Sequence, residues 1–217
     1  MKIVIQCASG KESNAGIFKE GGKDILFVAK PSLAPDNNEY IFRSPNDITR
    51  NGTTYTEQLS QYNRQSKNPL NLLPAYKLYN NDVYRALVNK YGLENIFILS
   101  AGWGLISADF LTPSYNITFS TAKNVNPEFR RKKSDVYHDL CHLPLDCADD
   151  LVFIGGQGYQ SLFDRLTHNY FGNRIVFFNS ANIPQLKNCK LIKFVTTQRT
   201  NWHYTCAKQL IDGVITI

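Results

Sequence analysis

The chain has 217 residues, of which 24 are Lys or Arg and 18 are Asp or Glu, so its formal net charge is +6. This length suits one domain, or one domain with an insertion, and it can bury a core without disulfides or a metal. An apolar content of 43% and an aromatic content of 12% exclude a disordered chain. No apolar run is long enough to cross a membrane, and we expect no signal peptide, because the first apolar run is short. Five scattered cysteines without a Cys-x-x-Cys pair predict a reduced, cytoplasmic protein.

Short runs rich in β-branched and aromatic residues predict strands along the chain. Most are nearly continuous in apolar residues, a pattern typical of strands buried on both faces of a parallel sheet. The predicted strands are Lys2–Cys7, Asp24–Ala29, Asn95–Ser100, Leu151–Gly155, Arg174–Phe178 and Lys190–Val195. Apolar residues at helical spacing predict helices over Ala75–Tyr91, Tyr159–Tyr170 and Trp202–Val214. We therefore predict a single α/β domain over residues 1–217, with a mostly parallel central sheet flanked by helices.

The segment 30–74 interrupts this alternation of strands and helices. It is polar, rich in Asn, Ser and Thr, and punctuated by five prolines. We interpret it as a polar insertion with one helix over Thr54–Gln65. A loop of this length in a compact domain is usually functional or mobile.

Three loops of small residues follow predicted strands, at the edge where open α/β sheets bind ligands. They are Cys7–Lys11, Ala101–Asp109 and Gly155–Tyr159. Glycine lets a backbone approach a ligand closely, and a helix N-terminus attracts anions. Neither a phosphate-binding P-loop nor a complete dinucleotide fingerprint is present, so we expect no cofactor. Tight strand-to-helix turns are the alternative explanation of the glycine loops.

The histidines and cysteines between His138 and Cys147 are close in sequence, but their spacing matches no zinc motif. We therefore expect no metal site.

The densest charge run is basic and extends from Lys123 to Lys133, with five Lys or Arg against one Glu. It is either a solvated helix start or a flank of the pocket that holds phosphates, which would add affinity without reading sequence. The run therefore permits a nucleic-acid partner.

The block Leu99–Ile106 reads Leu-Ser-Ala-Gly-Trp-Gly-Leu-Ile, and Asp109, Pro113, Tyr115 and Asn116 follow it. This block resembles the YaaA-like superfamily of small α/β proteins. Members typically read Leu-Ser-Ala-x-x-Gly-Leu-Leu, then an Asp, then Pro-Tyr-Asp/Asn.

Further similar positions are the early Ser9 and Lys11 and the later Gly156 and Tyr159. The resemblance covers the first strand and about 75–165, and it does not match the insertion.

The resemblance implies a role in oxidative DNA stress or in the metabolism of modified bases. Its relatives include a bacteriophage-defence DNA glycosylase that removes glucosylated hydroxymethylcytosine from phage DNA and leaves an abasic site. Double-stranded DNA is then the expected partner. The alternatives are a non-catalytic DNA-binding protein of the oxidative-stress type, and a base-exchange or nucleotide-processing enzyme.

A glycosylase must extrude the target nucleotide into a pocket and stabilise positive charge on its sugar, usually with a carboxylate. We predict that Asp109 is this catalytic carboxylate, although an Asp that caps a turn or a helix is the alternative. The predicted base and sugar contacts are Ser9, Lys11, Ser100, Gly102, Trp103, Tyr115, Asn116, Gly156, Gln157 and Tyr159. The predicted DNA contacts are Lys123, Arg130, Arg131, Lys132, Lys133, Trp202 and His203.

We also predict that asparagines of the insertion bind the sugar of a glucosylated base. They are Asn37, Asn38, Asn46, Asn51, Asn63, Asn68 and Asn71. The whole interpretation requires that Asp109, Lys11 and Gly156 converge on one cavity.

Overall fold

The computed structural model describes all 217 residues, which form thirteen strands and five helices. The strands are β1 (Lys2–Gln6), β2 (Lys19–Glu20), β3 (Lys23–Val28), β4 (Tyr40–Arg43), β5 (Leu73–Pro74), β6 (Ile96–Ser100), β7 (Gly104–Ser107), β8 (Leu111–Thr112), β9 (Tyr115–Asn116), β10 (Leu140–Cys141), β11 (Leu151–Ile154), β12 (Arg174–Phe178) and β13 (Cys189–Lys193). The helices are α1 (Tyr55–Asn63), α2 (Ala75–Leu78), α3 (Asp82–Tyr91), α4 (Gln157–Thr167) and α5 (Trp202–Ile211).

Seven strands form the central sheet in the order β10-β7-β6-β1-β11-β12-β13. The five strands from β6 to β13 in this order are parallel to one another, whereas β7 runs antiparallel to β6. Every residue of β6, β11 and β12 is buried, as expected for strands whose two faces are both covered. The predicted α/β class with a mostly parallel central sheet is confirmed.

Helices α3 and α5 pack against each other and against β6 and β11, while α4 packs against β6 and β7. No helix combines the length and apolar character that a membrane crossing requires. The predicted helix over Ala75–Tyr91 is in fact two helices. The break lies at Asn81, whose side chain accepts a hydrogen bond of 3.0 Å from the Val83 N–H and so starts α3 as an N-cap.

The predicted strand Asp24–Ala29 forms as β3 but lies in a second sheet, where it pairs with β2, β4 and β9. The apolar run predicts the strand but not its partners, because nothing in a short run specifies which sheet it joins. The second sheet was therefore not foreseen.

The insertion is an integral part of the core. Its predicted helix forms as α1, which Thr54 begins with a capping box to Glu57. Tyr55, Leu59 and Tyr62 of this helix are buried in the single apolar core. The segment therefore has a packing role that its polar composition conceals.

Candidate functional site at the carboxyl edge of the central sheet

A cavity of about 750 Å³ opens beside the carboxyl ends of β1 and β11. Its walls come from the turn after β1, the segment after β9, the first turn of α4, and the first turn of α5 with the residues before it. Its size lies within the range of about 300–1,000 Å³ typical of small-molecule sites. Its position is where open α/β sheets bind ligands.

Lys11 reaches the cavity from the turn after β1. Its Nζ donates a hydrogen bond of 3.3 Å to the Ser9 carbonyl and lies 4.1 Å from the centroid of the Tyr115 ring. A backbone bridge to Tyr79 fixes the position of the residue. Burial lowers the pKa of Lys11 from 10.5 to about 8, against an opposing charge interaction with Cys7. A fraction of this amine is therefore neutral near physiological pH.

A network of phenols lies behind the lysine. The Tyr159 hydroxyl is 3.2 Å from the Cys7 Sγ, and the Tyr79 and Tyr115 hydroxyls are 2.9 Å apart. The Ser100 hydroxyl donates to the Tyr115 hydroxyl at 2.8 Å. Burial raises the pKa values of these three tyrosines well above their ordinary range. The phenols therefore stay protonated and can donate hydrogen bonds.

Two helices begin at the cavity, and neither has a side-chain cap. Helix α4 follows Gly156, and α5 follows Asn201, which has a left-handed backbone with φ +60°. The Gly156 N–H donates to the Gln6 side-chain oxygen at 2.6 Å. The Tyr159 and Tyr204 N–H groups bond back to the Gly156 and Asn201 carbonyls at 2.9 and 3.0 Å, so only the N–H groups of the first two residues of each helix lack a partner within the helix. The helix dipole makes each start positive. Both helix starts therefore favour an anion in the cavity.

The charges that line the cavity are those of Lys11 and Arg199, and no Asp or Glu lines it. The two cations and the two positive helix starts therefore all favour a negatively charged ligand. An anionic group such as a phosphate is the complementary ligand.

Aromatic rings and amides form the rest of the wall. Phe119 packs edge-on against Tyr159, with ring centroids 5.1 Å apart. It can lie on the first turn of α4 because Gly158 faces it, where an added Cβ would come within 3.3 Å of the Phe119 Cβ. Asn116 and Asn124 add amide groups that both donate and accept hydrogen bonds. Such a wall suits a flat, polar ring system.

His203 lines the cavity from the first turn of α5 and is 4% exposed. Its Nε2 atom is buried without a hydrogen-bond partner. Burial lowers the pKa of His203 to about 4, so the ring is neutral at physiological pH. A buried polar atom without a partner is rare in proteins and is consistent with a site that a ligand completes.

The structure brings together seven of the residues predicted from sequence. The cavity is lined by Ser9, Lys11, Asn116, Gly156, Tyr159, Trp202 and His203. Sequence reasoning missed Phe119 and Arg199. Arg199 follows the last strand of the sheet, so the strand-end rule applied to that strand would have found it.

Asp109 does not lie in this cavity, and the expectation that it converges with Lys11 and Gly156 is wrong. The segment after β6 is not a loop at the carboxyl edge, because β7 turns back antiparallel to β6 and pairs Phe97 with Ser107. The Ala108 N–H bonds the Ile96 carbonyl at 3.0 Å, which places Asp109 at the amino edge. The two edges are about 13 Å apart along the strand at about 3.3 Å per residue.

The turn between β6 and β7 contains Ser100, Gly102 and Trp103. These residues stabilise the turn and do not line the cavity. The Ser100 hydroxyl accepts hydrogen bonds from the Gly102 and Trp103 N–H groups at 3.2 and 3.1 Å. Gly104 follows with φ +89°, a conformation that favours glycine. Trp103 is fully buried against Phe27, with ring centroids 5.0 Å apart, so it cannot stack on a base.

Two further predicted contacts also have other positions. Tyr115 is fully buried and supports Lys11 from beneath without lining the cavity. Gln157 is exposed outside the cavity wall.

The exposed Asp109 lies in a separate depression of about 520 Å³, together with Asn63, Arg64 and His142. Burial lowers the pKa of His142 below its usual value, and the nearby Asp109 charge opposes this shift without reversing it. Phe110 and the His142 ring pack edge-on against each other there, with ring centroids 4.5 Å apart.

The two arginines of the basic run make hydrogen bonds to other groups of the protein. The Arg130 guanidinium donates to the carbonyls of Ala122 and Val125, which belong to the cavity wall. Arg131 is buried and makes two hydrogen bonds, of 2.8 and 2.6 Å, to the Asp139 carboxylate. Their predicted role as DNA contacts is wrong for Arg131, since a buried, paired guanidinium cannot reach a phosphate. Lys123, Lys132 and Lys133 of the same run are exposed.

None of the asparagines predicted to bind the sugar lines the cavity. Asn68 instead accepts a hydrogen bond of 2.6 Å from the Tyr62 hydroxyl, and Asn63 bonds the backbone of Leu111. The prediction that the insertion supplies sugar contacts in this cavity is therefore wrong, because its amides hold the insertion in place.

The sequence matches no protein-family model, and neither curated proteins nor solved structures give a significant match. These comparisons therefore assign the chain to no family and to no function.

Proposed function

We propose that this protein is a DNA glycosylase that excises a modified base from double-stranded DNA and leaves an abasic site. The modified base that the resemblance to the YaaA-like superfamily suggests is glucosylated hydroxymethylcytosine of phage DNA, which would make the activity an antiviral defence. The observation that carries the proposal is the acid-free cavity, where two uncapped helix starts meet Lys11.

The cavity has the groups that an extruded nucleotide needs. Helix starts and Arg199 attract its phosphate, and the half-buried ring of Phe119 offers a surface for stacking. The amides of Asn116 and Asn124 can bond the polar edge of a base or the hydroxyls of an attached sugar.

Exposed basic side chains and the net charge support DNA binding. Lys123, Lys132 and Lys133 are exposed, and the net charge is +6. Phosphate contacts of this kind bind DNA regardless of sequence and weaken as the salt concentration rises. Selectivity for a modified base then depends on the cavity, because a base must leave the duplex to reach it.

Departure of the base requires donors that stabilise the negative charge developing on it. The helix N–H groups, the protonated phenol of Tyr159 and the neutral ring of His203 are candidates from this chain. A carboxylate at the sugar is not among the lining groups, so the role first predicted for Asp109 must be met by another residue.

The test compares three duplexes of one sequence, with glucosylated hydroxymethylcytosine, hydroxymethylcytosine or cytosine at the same position. We expect release of the glucosylated base alone, detected by mass spectrometry, with one abasic site, intact or nicked, formed for each base released. A control variant is Lys77→Ala, because Lys77 is exposed and lies outside the cavity. This variant should release the base as the native chain does.

Two other outcomes would replace the proposal. Salt-sensitive binding of all three duplexes without base release indicates a non-catalytic DNA-binding protein. Incorporation of an isotope-labelled free base into the DNA indicates a base-exchange enzyme.

A further inference from the structure

We propose that Lys11 is the nucleophile of this cavity: its Nζ bonds to C1′ of the deoxyribose, so the reaction passes through an imine between protein and DNA. This inference rests on the proposed glycosylase function and names the group that replaces the missing carboxylate.

The first argument is position. Lys11 is the only lysine that lines the cavity, and its Nζ is held between the Ser9 carbonyl and the Tyr115 ring. It forms no ion pair, unlike the N-terminal amine, which lies 3.3 Å from the Asp149 carboxylate. That terminal amine is at the amino edge of the sheet, since the Lys2 N–H bonds the Asp150 carbonyl. Lys11 is therefore the one amine available to a sugar in the cavity.

The second argument is the environment of the amine. Its neighbours are Cys7 after β1, Tyr79 after α2 and Tyr115 in β9. The other titratable groups of the cavity include Tyr159 in α4 and Arg199 after β13. None of them is a carboxylate that would hold the ammonium form. Burial in these surroundings lowers the pKa of Lys11 to about 8, and a desolvated lysine with a lowered pKa is a common amine nucleophile.

The chemistry balances without a cofactor. The neutral Nζ attacks C1′ as the bond from C1′ to the base nitrogen breaks, and the departing base takes one of the two amine protons. The sugar ring then opens as the C1′–O4′ bond breaks. O4′ takes the second proton, which leaves a neutral C1′=N imine.

Water can hydrolyse this imine, which restores the amine and yields an abasic site. The imine, once protonated from solvent, also acidifies the C2′ hydrogens. Loss of a C2′ proton then breaks the C3′–O3′ bond and nicks the strand. A fraction of nicked product is therefore expected beside the abasic product.

The test uses the full-length protein, borohydride as the trapping reagent, and two DNAs: the glucosylated duplex and a duplex with a preformed abasic site. Borohydride reduces the imine to a stable amine, so protein and DNA become covalently joined. We expect a joined complex with both DNAs, and a digested peptide that carries the sugar remnant on Lys11. Lys11→Arg keeps the positive charge but removes the nucleophile, and it should reduce trapping at least about 100-fold. The matched control, Lys77→Arg, should trap as the native chain does.

The outcomes separate this inference from the proposed function. Release of the glucosylated base without any trapped complex, or with the sugar mapped to another amine, overturns the role of Lys11 and leaves the glycosylase. Trapping on Lys11 with abasic DNA but no base release overturns the glycosylase and leaves Lys11 as the nucleophile of a lyase. Peptide mapping on the native chain decides the matter even if Lys11→Arg does not fold.

Discussion

The two edges of the central sheet each hold a group suited to glycosidic chemistry, but in very different surroundings. At the carboxyl edge, Lys11 lies in a cavity with two helix starts and no acid. At the amino edge, Asp109 is exposed in a shallow depression beside His142. The direction of β7 decides which of the two groups lies near the other lining residues of the cavity, because β6, β1, β11, β12 and β13 all end at the edge where Lys11 lies, whereas β7 runs back to the other edge.

The difference shows how burial gives a side chain its chemical character. An exposed carboxylate is well solvated, and its reactivity is that of an ordinary surface group. A lysine whose amine packs on an aromatic ring in a cavity loses solvation of its charged form, which makes the neutral, nucleophilic form accessible. The position of a residue near a recognisable motif does not tell whether its side chain is buried in this way.

The largest expected effect concerns base release. Lys11→Met should lower the single-turnover rate on glucosylated DNA at least about 1,000-fold, because it removes the nucleophile. Asp109→Asn should change this rate less than about twofold, since the side chain lies at the other edge. Loss of activity in Asp109→Asn with full activity in Lys11→Met would reverse the comparison between the two edges.

The next effect concerns the buried ion pair between Arg131 and Asp139. Arg131→Ala should lower the free energy of unfolding by about 3 kcal/mol, because the buried Asp139 carboxylate loses two charge-assisted hydrogen bonds and keeps Arg165 as its remaining partner. Urea denaturation measures the change. The exposed Lys133 provides the matched substitution, Lys133→Ala, which should stay within about 0.5 kcal/mol of the native chain. Equal stability of the two variants would mean that the ion pair between Arg131 and Asp139 does not stabilise the fold.

A smaller effect tests whether burial of Lys11 lowers the free energy of unfolding. The pKa of Lys11 in the folded chain, about 8, is below the 10.5 of the unfolded chain, so its burial opposes folding below pH 8. Lys11→Met should therefore raise the free energy of unfolding at pH 7 by up to about 3 kcal/mol, at about 1.4 kcal/mol per pKa unit.

This gain should shrink as the pH rises from 8 toward 10.5, because the folded lysine is then neutral and the cost of removing its proton falls as the pH approaches 10.5. Thermal denaturation at pH 7 and pH 10 measures the difference. Asp109→Asn provides the contrast at the amino edge and should give no comparable gain. A gain for Lys11→Met that is equal at both pH values would contradict this account.

The smallest effect concerns DNA affinity. Arg199→Ala should weaken binding of all duplexes to a similar extent and lower the slope of log affinity against log salt by about one, as expected for one lost phosphate contact. Fluorescence anisotropy at several salt concentrations measures this slope. An unchanged slope would remove Arg199 from the DNA-binding surface.

The sequence predicted the elements of this fold better than their connections. The run Arg174–Phe178 forms a strand with the predicted bounds, because five consecutive apolar or long side chains suit a strand covered on both faces. The strand-end rule located Lys11 and Gly156 correctly at one edge. It failed at Asp109, because a glycine-rich turn can either start a crossover or reverse the chain, and the residues Gly102 and Gly104 permit both.

The hydrogen bond between the Gln6 side chain and the Gly156 N–H has a consequence for how far a substrate can enter. This amide oxygen already occupies the donor nearest the sheet, so a phosphate must stay at the outer donors of the same turn. In the proposed function, this bond sets how close to the sheet the phosphate of an extruded nucleotide can bind, so Gln6 limits the depth of the site from beneath.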